Sequence, residues 1–398
     1  MAQIITVKNL SDFVAGRVVV DVDDLIYRLD MNEVPFIHFI SSLKKKETHD
    51  MEFKWLDKEY VTTWSTISSI PGGWAAATSG TIAVPNLEYF NVGDVCAVPV
   101  DSMTNIVVSA KAAASGAGNL TLQTVDGSSI TITTTGATTL KILSSSDDEG
   151  SPSRQSKSTI AVFQSNFNQI IKTSAEMTEV AAAVELYGEQ DRDEQRHEKL
   201  IEHWRKKEQA FMWGTKAYLA TGINQGSHPQ YFTAGVYGLL TLYGSGQIST
   251  DANGTLTELE WNDWLTGVLR YGSEQKIVYA AEIYGNAMAY WAKDKLRITM
   301  GETKYGIKII EWVHPIRGSV KVIIHQRLFD EAPYNGMAVC VDHANTTYRF
   351  LRGHDTKLFT DTGQEDVTQF KDEYRDISGL QLTSPKKHGV LQGVTAFS

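Results

Sequence analysis

From Gln190 to Lys199 the chain carries no apolar side chain, and neither Pro nor Gly interrupts it before Gly214. The run QDRDEQRHEKLIEHWRKKEQAFMWG therefore reads as one long helix of unusual make-up. Leu200, Ile201, Trp204, Phe211 and Met212 fall at helical spacing, so the second half has an apolar side and the first half has none. A helix that is polar all round for about three turns has no face to bury in a hydrophobic core. It reads as a strut spanning roughly 37 Å, anchored at its apolar end and exposed, or turned toward other subunits, at its charged end. Glu189/Arg192, Asp193/Arg196 and Glu202/Lys206 have the spacing of side-chain pairs. Each pair adds only ~0.2–0.5 kcal/mol, so the pairs support the strut without deciding its fate.

At 398 residues the chain exceeds one compact core, and two or three domains are expected. A net charge of -10 argues against a basic nucleic-acid surface. The single basic run, Lys44–Lys46, reads as a solvated loop. Cys96 and Cys340 lack metal-site spacing and read as buried thiols in strands of a protein made in a reducing compartment. The N-terminus lacks the pattern of a signal peptide, and no stretch approaches the roughly 20 apolar residues of a membrane span. A soluble protein made in a cytoplasm is the expectation.

Residues 1–50 read as an arm with a short helix at Asp23–Asp30, followed by an extended segment at Pro35. Phe36 and Phe39 have no evident local core, and neither do Phe53 and Trp55 on one face of the alternating run MEFKWLDKEYVTT. Such side chains must dock on another part of the molecule or on a neighbour. From about Thr81 to Ser146, short alternating runs (NIVVSA, NLTLQTV, SITITT, TLKIL) separated by Gly-rich turns indicate a small all-β module. A low-complexity linker is the competing reading. The stretch 147–158, DDEGSPSRQSKS, reads as a polar loop, and TIAVFQSNFNQIIKT as strand-like. Thr173 and Glu176 fit a capping box opening a short helix, and Thr257 and Glu260 fit another before LEWNDWLTGVLRYG. KIVYAA, YGIKIIEWV, SVKVIIHQRL and MAVCVD read as strands, EIYGNAMAYWAKDKL as a helix, and Asp376–Phe397 as two further strands. Helices packed on mixed sheet give an α+β fold class.

No catalytic constellation stands out. Nucleotide-binding glycine motifs, HExxH and GxSxG are all missing from the sequence. His197 and His203 lie on opposite helix faces. The acidic stretch around Asp361 and Asp366 lacks the order of a calcium loop. A glycosidase carboxylate pair and a tryptophan platform for carbohydrate remain possible in principle, but nothing singles out either. The reading is a protein that is no enzyme and takes no cofactor or metal.

The order of parts is more telling than any residue. VPF near Pro35, FKWLDKEY (53–60), YFNVGDVCAV (89–98), NFNQIIKTSAEMTEVAAA (166–183), KKEQAFMWG (206–214), YGIKIIEW (305–312) and LQLTSPKKHGVLQGV near the end follow one another collinearly. In this order the chain resembles tailed-bacteriophage major capsid proteins of the Hong Kong 97 fold, and within them a subfamily with a β-rich insertion in the extended loop. The resemblance runs over nearly the whole chain.

The resemblance implies an N-terminal arm (1–50) and an extended loop (51–165) holding the β module (about 81–146). It further implies a peripheral domain (166–224) with a spine helix at 189–214, an axial domain (225–365), and C-terminal strands (366–398) that return. It implies pentamers and hexamers of an icosahedral or prolate head, assembled in a bacterial cytoplasm, enclosing double-stranded DNA without sequence-specific binding. Phe36, Phe39, Phe53 and Trp55, with Glu189, Arg192, Asp193 and Arg196, are the expected subunit-interface residues. Portal and decoration proteins are expected partners. Because the arm begins at Met1 without a long helical segment, a separate scaffold protein, or none, and no cleavage are expected. No Lys–Asn pair maps onto a crosslink, so assembly should be non-covalent. The rivals are an encapsulin nanocompartment shell, a glycosidase with a β accessory module, and a tail or decoration protein.

Overall fold

The computed structural model describes residues 36, 44–60, 62–98, 102–133, 138–154, 156–183, 191–223, 228–251, 253–273, 276–292, 299–300, 309–363 and 367–398. The proposed helix at Asp23–Asp30, Phe39 and Glu189 lie outside these. The chain divides into two compact units, one formed by Leu56–Val162 and the other by the residues on either side of it.

Every strand pairing in the six-stranded sheet of the Leu56–Val162 unit is antiparallel. The order across the sheet is Trp64–Thr66, Thr139–Ser145, Asp94–Val98, Ser102–Lys111, Gly118–Thr124 and Ser79–Val84. The two outer strands meet: the Ser68 amide donates to Ala83 O at 2.8 Å and the Ala83 amide to Ser69 O at 2.9 Å. This isolated bridge brings the two ends of the sheet together and curls it into a barrel-like shape. Alternation supplies the interior, with Ile82, Val84, Ile106, Val108, Leu120, Leu122 and Leu140 all turned inward and buried. A short antiparallel pair, Trp74–Ala77 with Ile130–Ile132, holds Trp74, which lies against Gly80, where a Cβ would run into the indole ring.

The stretch 147–158 is more than a polar loop. Arg154 Nη1 lies 2.7 Å from Asp94 Oδ1, and Lys157 Nζ lies 2.9 Å from Asp94 Oδ2. Arg154 also donates to the carbonyls of Gly93 and Ser146 at 2.9 and 2.6 Å. One buried carboxylate thereby straps the loop to the barrel. The module is correspondingly longer than Thr81–Ser146, because its first strand starts at Trp64.

The second unit has two large sheets among its described residues, beside smaller two-stranded ones. The seven-stranded one runs Ile248–Thr250, Gly389–Gln392, Ala338–Asp342, Lys276–Ala280, Gly318–Ile324, Ile309–His314, Thr299–Met300. Its central strands are buried on both faces, and the helices Val236–Tyr243, Glu258–Val268 and Glu282–Ala292 pack against the same core. Helix Glu258–Val268 opens with the expected Thr257/Glu260 capping box. Lys276, itself buried, donates to the carbonyls of Val268, Tyr271 and Lys387 and so closes that helix at its far end. Cys96 and Cys340 are buried free thiols in strands.

The other sheet orders Lys45–Thr48, Thr346–Leu351, Gln369–Leu382 and Gln169–Thr178, with Lys357–Phe359 also on Gln369–Leu382. Two expectations fail here. Lys45 and Lys46 belong to a strand that pairs parallel with Tyr348 and Arg349 rather than to a loop. Their exposed ammonium groups suit an edge strand, which charge protects from further pairing. Thr173 and Glu176 do not cap a helix but sit in a ten-residue strand. Ile171, Thr173, Ala175 and Met177 alternate inward along it, and the long partner strand overrides the local capping signal. Only Glu179–Ala183 is helical among the described residues of that stretch.

Replacing Asp94 by Ala would leave two cations against a buried site with no carboxylate. The expected loss is about 3 kcal/mol, read as a lower melting temperature for the barrel transition, with Arg154→Ala showing the same sign.

Candidate functional site

The long helix spans Asp191–Trp213 and lies against the strands Gln169–Thr178 and Gln369–Leu382. It does not stand free at its charged end. Asp372, Tyr374 and Asp376 occupy alternate positions of one strand and so face one side. The helix meets them in order. Arg192 Nη2 lies 3.0 Å from Asp372 Oδ1, and Arg196 Nε lies 2.8 Å from Asp372 Oδ2. The His203 ring sits 6.2 Å from the Tyr374 ring, with Nδ1 at 3.2 Å from Thr173 Oγ1. Lys207 Nζ lies 2.6 Å from Asp376 Oδ2, both side chains buried, and donates to the Tyr348 hydroxyl at 2.7 Å. Phe211 then closes the row against Tyr348. Polar side chains here do the work that an apolar stripe does in most helices.

The expected interface residues can now be placed. Arg192 pairs inside the chain with Asp361 and Asp372, and Arg196 with Asp193 and Asp372. Both guanidinium groups are thus paired within their own chain. Asp193 itself stays exposed. Phe36, Phe53 and Trp55 are 0%, 6% and 7% exposed, in the core of their own chain. Of the two expected docking places, another part of the same molecule is the one occupied. Strand-to-strand distance in sequence hid that core: Phe36 packs edge-on to Tyr279 at 5.0 Å, and Trp55 donates to Gln164 Oε1 at 3.0 Å and meets Tyr243.

Phe36 is also held by its backbone. Its amide donates to Glu208 Oε1 at 3.0 Å, while His325 Nε2 lies 3.1 Å from Glu208 Oε2. The Leu328 amide donates to His325 Nδ1, so Nε2 carries the proton and donates to the carboxylate. Sequence reading missed Glu208, Asp372 and Asp376. The alternation in DEYRDIS was the available signal for the last two. Nothing local marks Glu208.

Burial governs the ionisable groups. It pushes His203 and His343 down to about 4 and His388 to about 3. Burial, the largest influence on Asp372, would raise its carboxyl, but hydrogen bonds from Arg192 and Arg196 outweigh it and hold it at about 2. Burial also pushes the Lys207 ammonium down, against the pull of Asp376. Among the described residues no group of three or more His, Cys, Asp and Glu is placed to hold a metal ion, and no helix is long and apolar enough to cross a membrane.

A charged helix bound to one sheet, with a second, helix-covered sheet in the same unit, makes up the frame of this part of the chain. The chain belongs to the SU10 major capsid protein family, whose model matches residues 5–395. The α+β, Hong Kong 97-type fold class and the role of structural capsid protein follow from that membership. No curated protein matches the sequence. Solved structures that are similar include Mycobacterium phage Bobi, with a TM-score of 0.45 at 10% identity, covering 94% of each chain. The capsid of a native GTA particle has a TM-score of 0.43 at 9% identity and covers 94% of this chain and 96% of that one. The SrpI encapsulin from Synechococcus elongatus PCC 7942 has a TM-score of 0.44 at 11% identity and covers 61% of this chain and 80% of that one. Likenesses this loose carry nothing further.

Two outcomes are expected. Lys207→Ala strands the buried Asp376 carboxylate and should lower stability by about 3 kcal/mol in chemical denaturation. His203, His343 and His388 set an acid limit. Above pH 6.5 they are neutral in both folded and unfolded chains and contribute nothing. As pH falls from 6.5 toward 4 the unfolded chain takes up protons that the buried rings refuse, so stability declines by up to about 3 kcal/mol per histidine. Melting temperatures measured across this range should show the decline, and His203→Asn should flatten it.

Proposed function

We propose that this major capsid protein closes into pentamers and hexamers, and that these build an icosahedral or prolate head around double-stranded DNA. The observation that carries the reading is the family match along residues 5–395. In this reading residues 1–50 are an arm, 51–165 an extended loop into which the barrel is inserted, and 166–224 the peripheral domain. Residues 225–365 form the axial domain, and 366–398 return as strands. The role is structural and non-catalytic. A portal, a scaffold protein and decoration proteins are its partners, and assembly takes place in the bacterial cytoplasm.

A closed shell from one sequence needs heterologous contacts that close into rings. With Phe36, Phe53 and Trp55 occupied internally, other apolar groups take that task. The segments leading out to the barrel and back from it carry Tyr60 at 97% and Ile160 at 87% exposure, with Phe163 exposed as well. Burying each against a neighbour would contribute ~1.5–3 kcal/mol. A net charge of -10 suits a container whose cargo must not stick to its wall.

Purified protein is expected to elute in the megadalton range and to appear as hollow particles in negative stain. A species eluting as a monomer at all concentrations would overturn the reading. Tyr60→Asp together with Phe163→Asp should shift the population toward free subunits while leaving their melting temperature unchanged. DNA recovered from native particles, rather than an enzyme cargo, would separate this reading from a nanocompartment.

A further inference from the structure

The two ends of the seven-stranded sheet carry unlike features. Lys276–Ala280 and Gly318–Ile324 run parallel, and where both finish a cavity of ≈ 420 Å³ opens. Phe329, Val394 and Ile283 give it apolar walls, and Glu282, Asp330 and Asn335 line it with polar groups. Neither carboxylate has a hydrogen bond or ion pair among the described residues. Cavities of ~300–1,000 Å³ are large enough for a sizeable guest.

The other end is a protrusion. A tight turn, Pro315–Arg317, joins Ile309–His314 to Gly318–Ile324, with Gly318 at φ +93°. Ile316 is 78% exposed there, and Arg317, also exposed, has no side-chain partner among the described residues. Yet the turn is firmly built from beneath. The amides of Ile316 and Arg317 donate to His314 Nδ1 at 3.2 and 3.1 Å. His314 Nε2 donates to the Asn262 carbonyl at 3.1 Å and lies 3.0 Å from Thr266 Oγ1. A buried histidine with both ring nitrogens committed to one exposed turn pre-organises that turn, which lowers the ordering cost of binding.

Turn and cavity are separated by the length of the strand Gly318–Ile324, about 20 Å at ~3.3 Å per residue. One copy cannot fill its own cavity with its own turn. The guest that matches the cavity is nonetheless on the chain: an apolar side chain beside a guanidinium, against apolar walls beside two carboxylates. We propose that Ile316 and Arg317 of one copy insert into the Glu282/Asp330 cavity of the next, with Arg317 set between the two carboxylates. Because knob and socket lie at opposite ends of one sheet, the contact is head-to-tail, the kind that closes rings. Arginine is among the residues enriched at such interfaces. The proposal rests on the ring-forming reading above and names the residues of one of its contacts.

The test uses the full chain. Arg317→Glu is expected to cut the yield of megadalton particles at least about tenfold through like-charge opposition. The soluble variant should keep the wild-type circular dichroism and melting temperature. Adding Glu282→Lys and Asp330→Lys to Arg317→Glu restores opposite charges and should recover particles. As a second readout, Ile316→Cys with Asn335→Cys should give a ladder of disulfide-linked multimers when particles are oxidised. Wild-type yields from Arg317→Glu, a folded triple variant that does not recover, or no ladder from oxidised particles would each overturn the contact alone. A wild-type chain that forms no particles would overturn this contact and the ring reading together.

Discussion

The buried Lys207–Asp376 pair is the point on which the second unit turns. It joins the long helix to the long strand where neither partner can reach water, and the Tyr348 and Ser378 hydroxyls complete the shell around it. A buried ion pair adds little net stability over an apolar contact, but removing one partner is severe, so such a pair fixes geometry more than it strengthens it. Here the geometry is a register. Going down the helix from Arg196 to His203 to Lys207, the partner moves along the strand from Asp372 to Tyr374 to Asp376. Slipping the strand by one residue would turn both carboxylates to the opposite face. An apolar stripe would tolerate sliding far better than these paired charges.

That register passes to the rest of the unit. Glu208, the residue after Lys207, holds the Phe36 amide and the His325 ring together. His325 follows directly on Gly318–Ile324, the strand with the protruding turn at its start and the cavity at its end. Phe36, the long helix and the sheet with its two candidate contact features are therefore tied through two neighbouring helix residues. The barrel is a different kind of object. Its own buried apolar cluster gives it a core, and bonds from Arg154 and Lys157 to Asp94 help tie down its last loop.

Much of this was legible beforehand, and the misses have physical causes. Period-two alternation located the strands Ser102–Lys111, Gly118–Thr124 and Thr139–Ser145, and the Thr257/Glu260 capping box located a helix start. The same box pattern at Thr173/Glu176 misled, because a ten-residue ladder to Gln369–Leu382 outweighs one local cap. The polar helix was found but its surroundings were not. Hydrophobic periodicity sees only apolar faces, and a charged face matched to acids some 170 residues further along gives no such signal. The rings at Phe36, Phe53 and Trp55 looked homeless for the same reason, since the groups that cover them come from distant segments.

By itself, then, the chain determined its elements, its α+β class, and its membership of a shell-building family through the collinear order of its parts. Those properties are local or serial, and local spacing and serial order can be read from a string. Tertiary structure alone decided which charges are spent internally and which stay free. Arg192 and Arg196 found Asp372, whereas Arg317 has no partner among the described residues, and nothing in their sequence surroundings distinguishes these outcomes. Pairing depends on distance in space, and only the folded chain sets that distance.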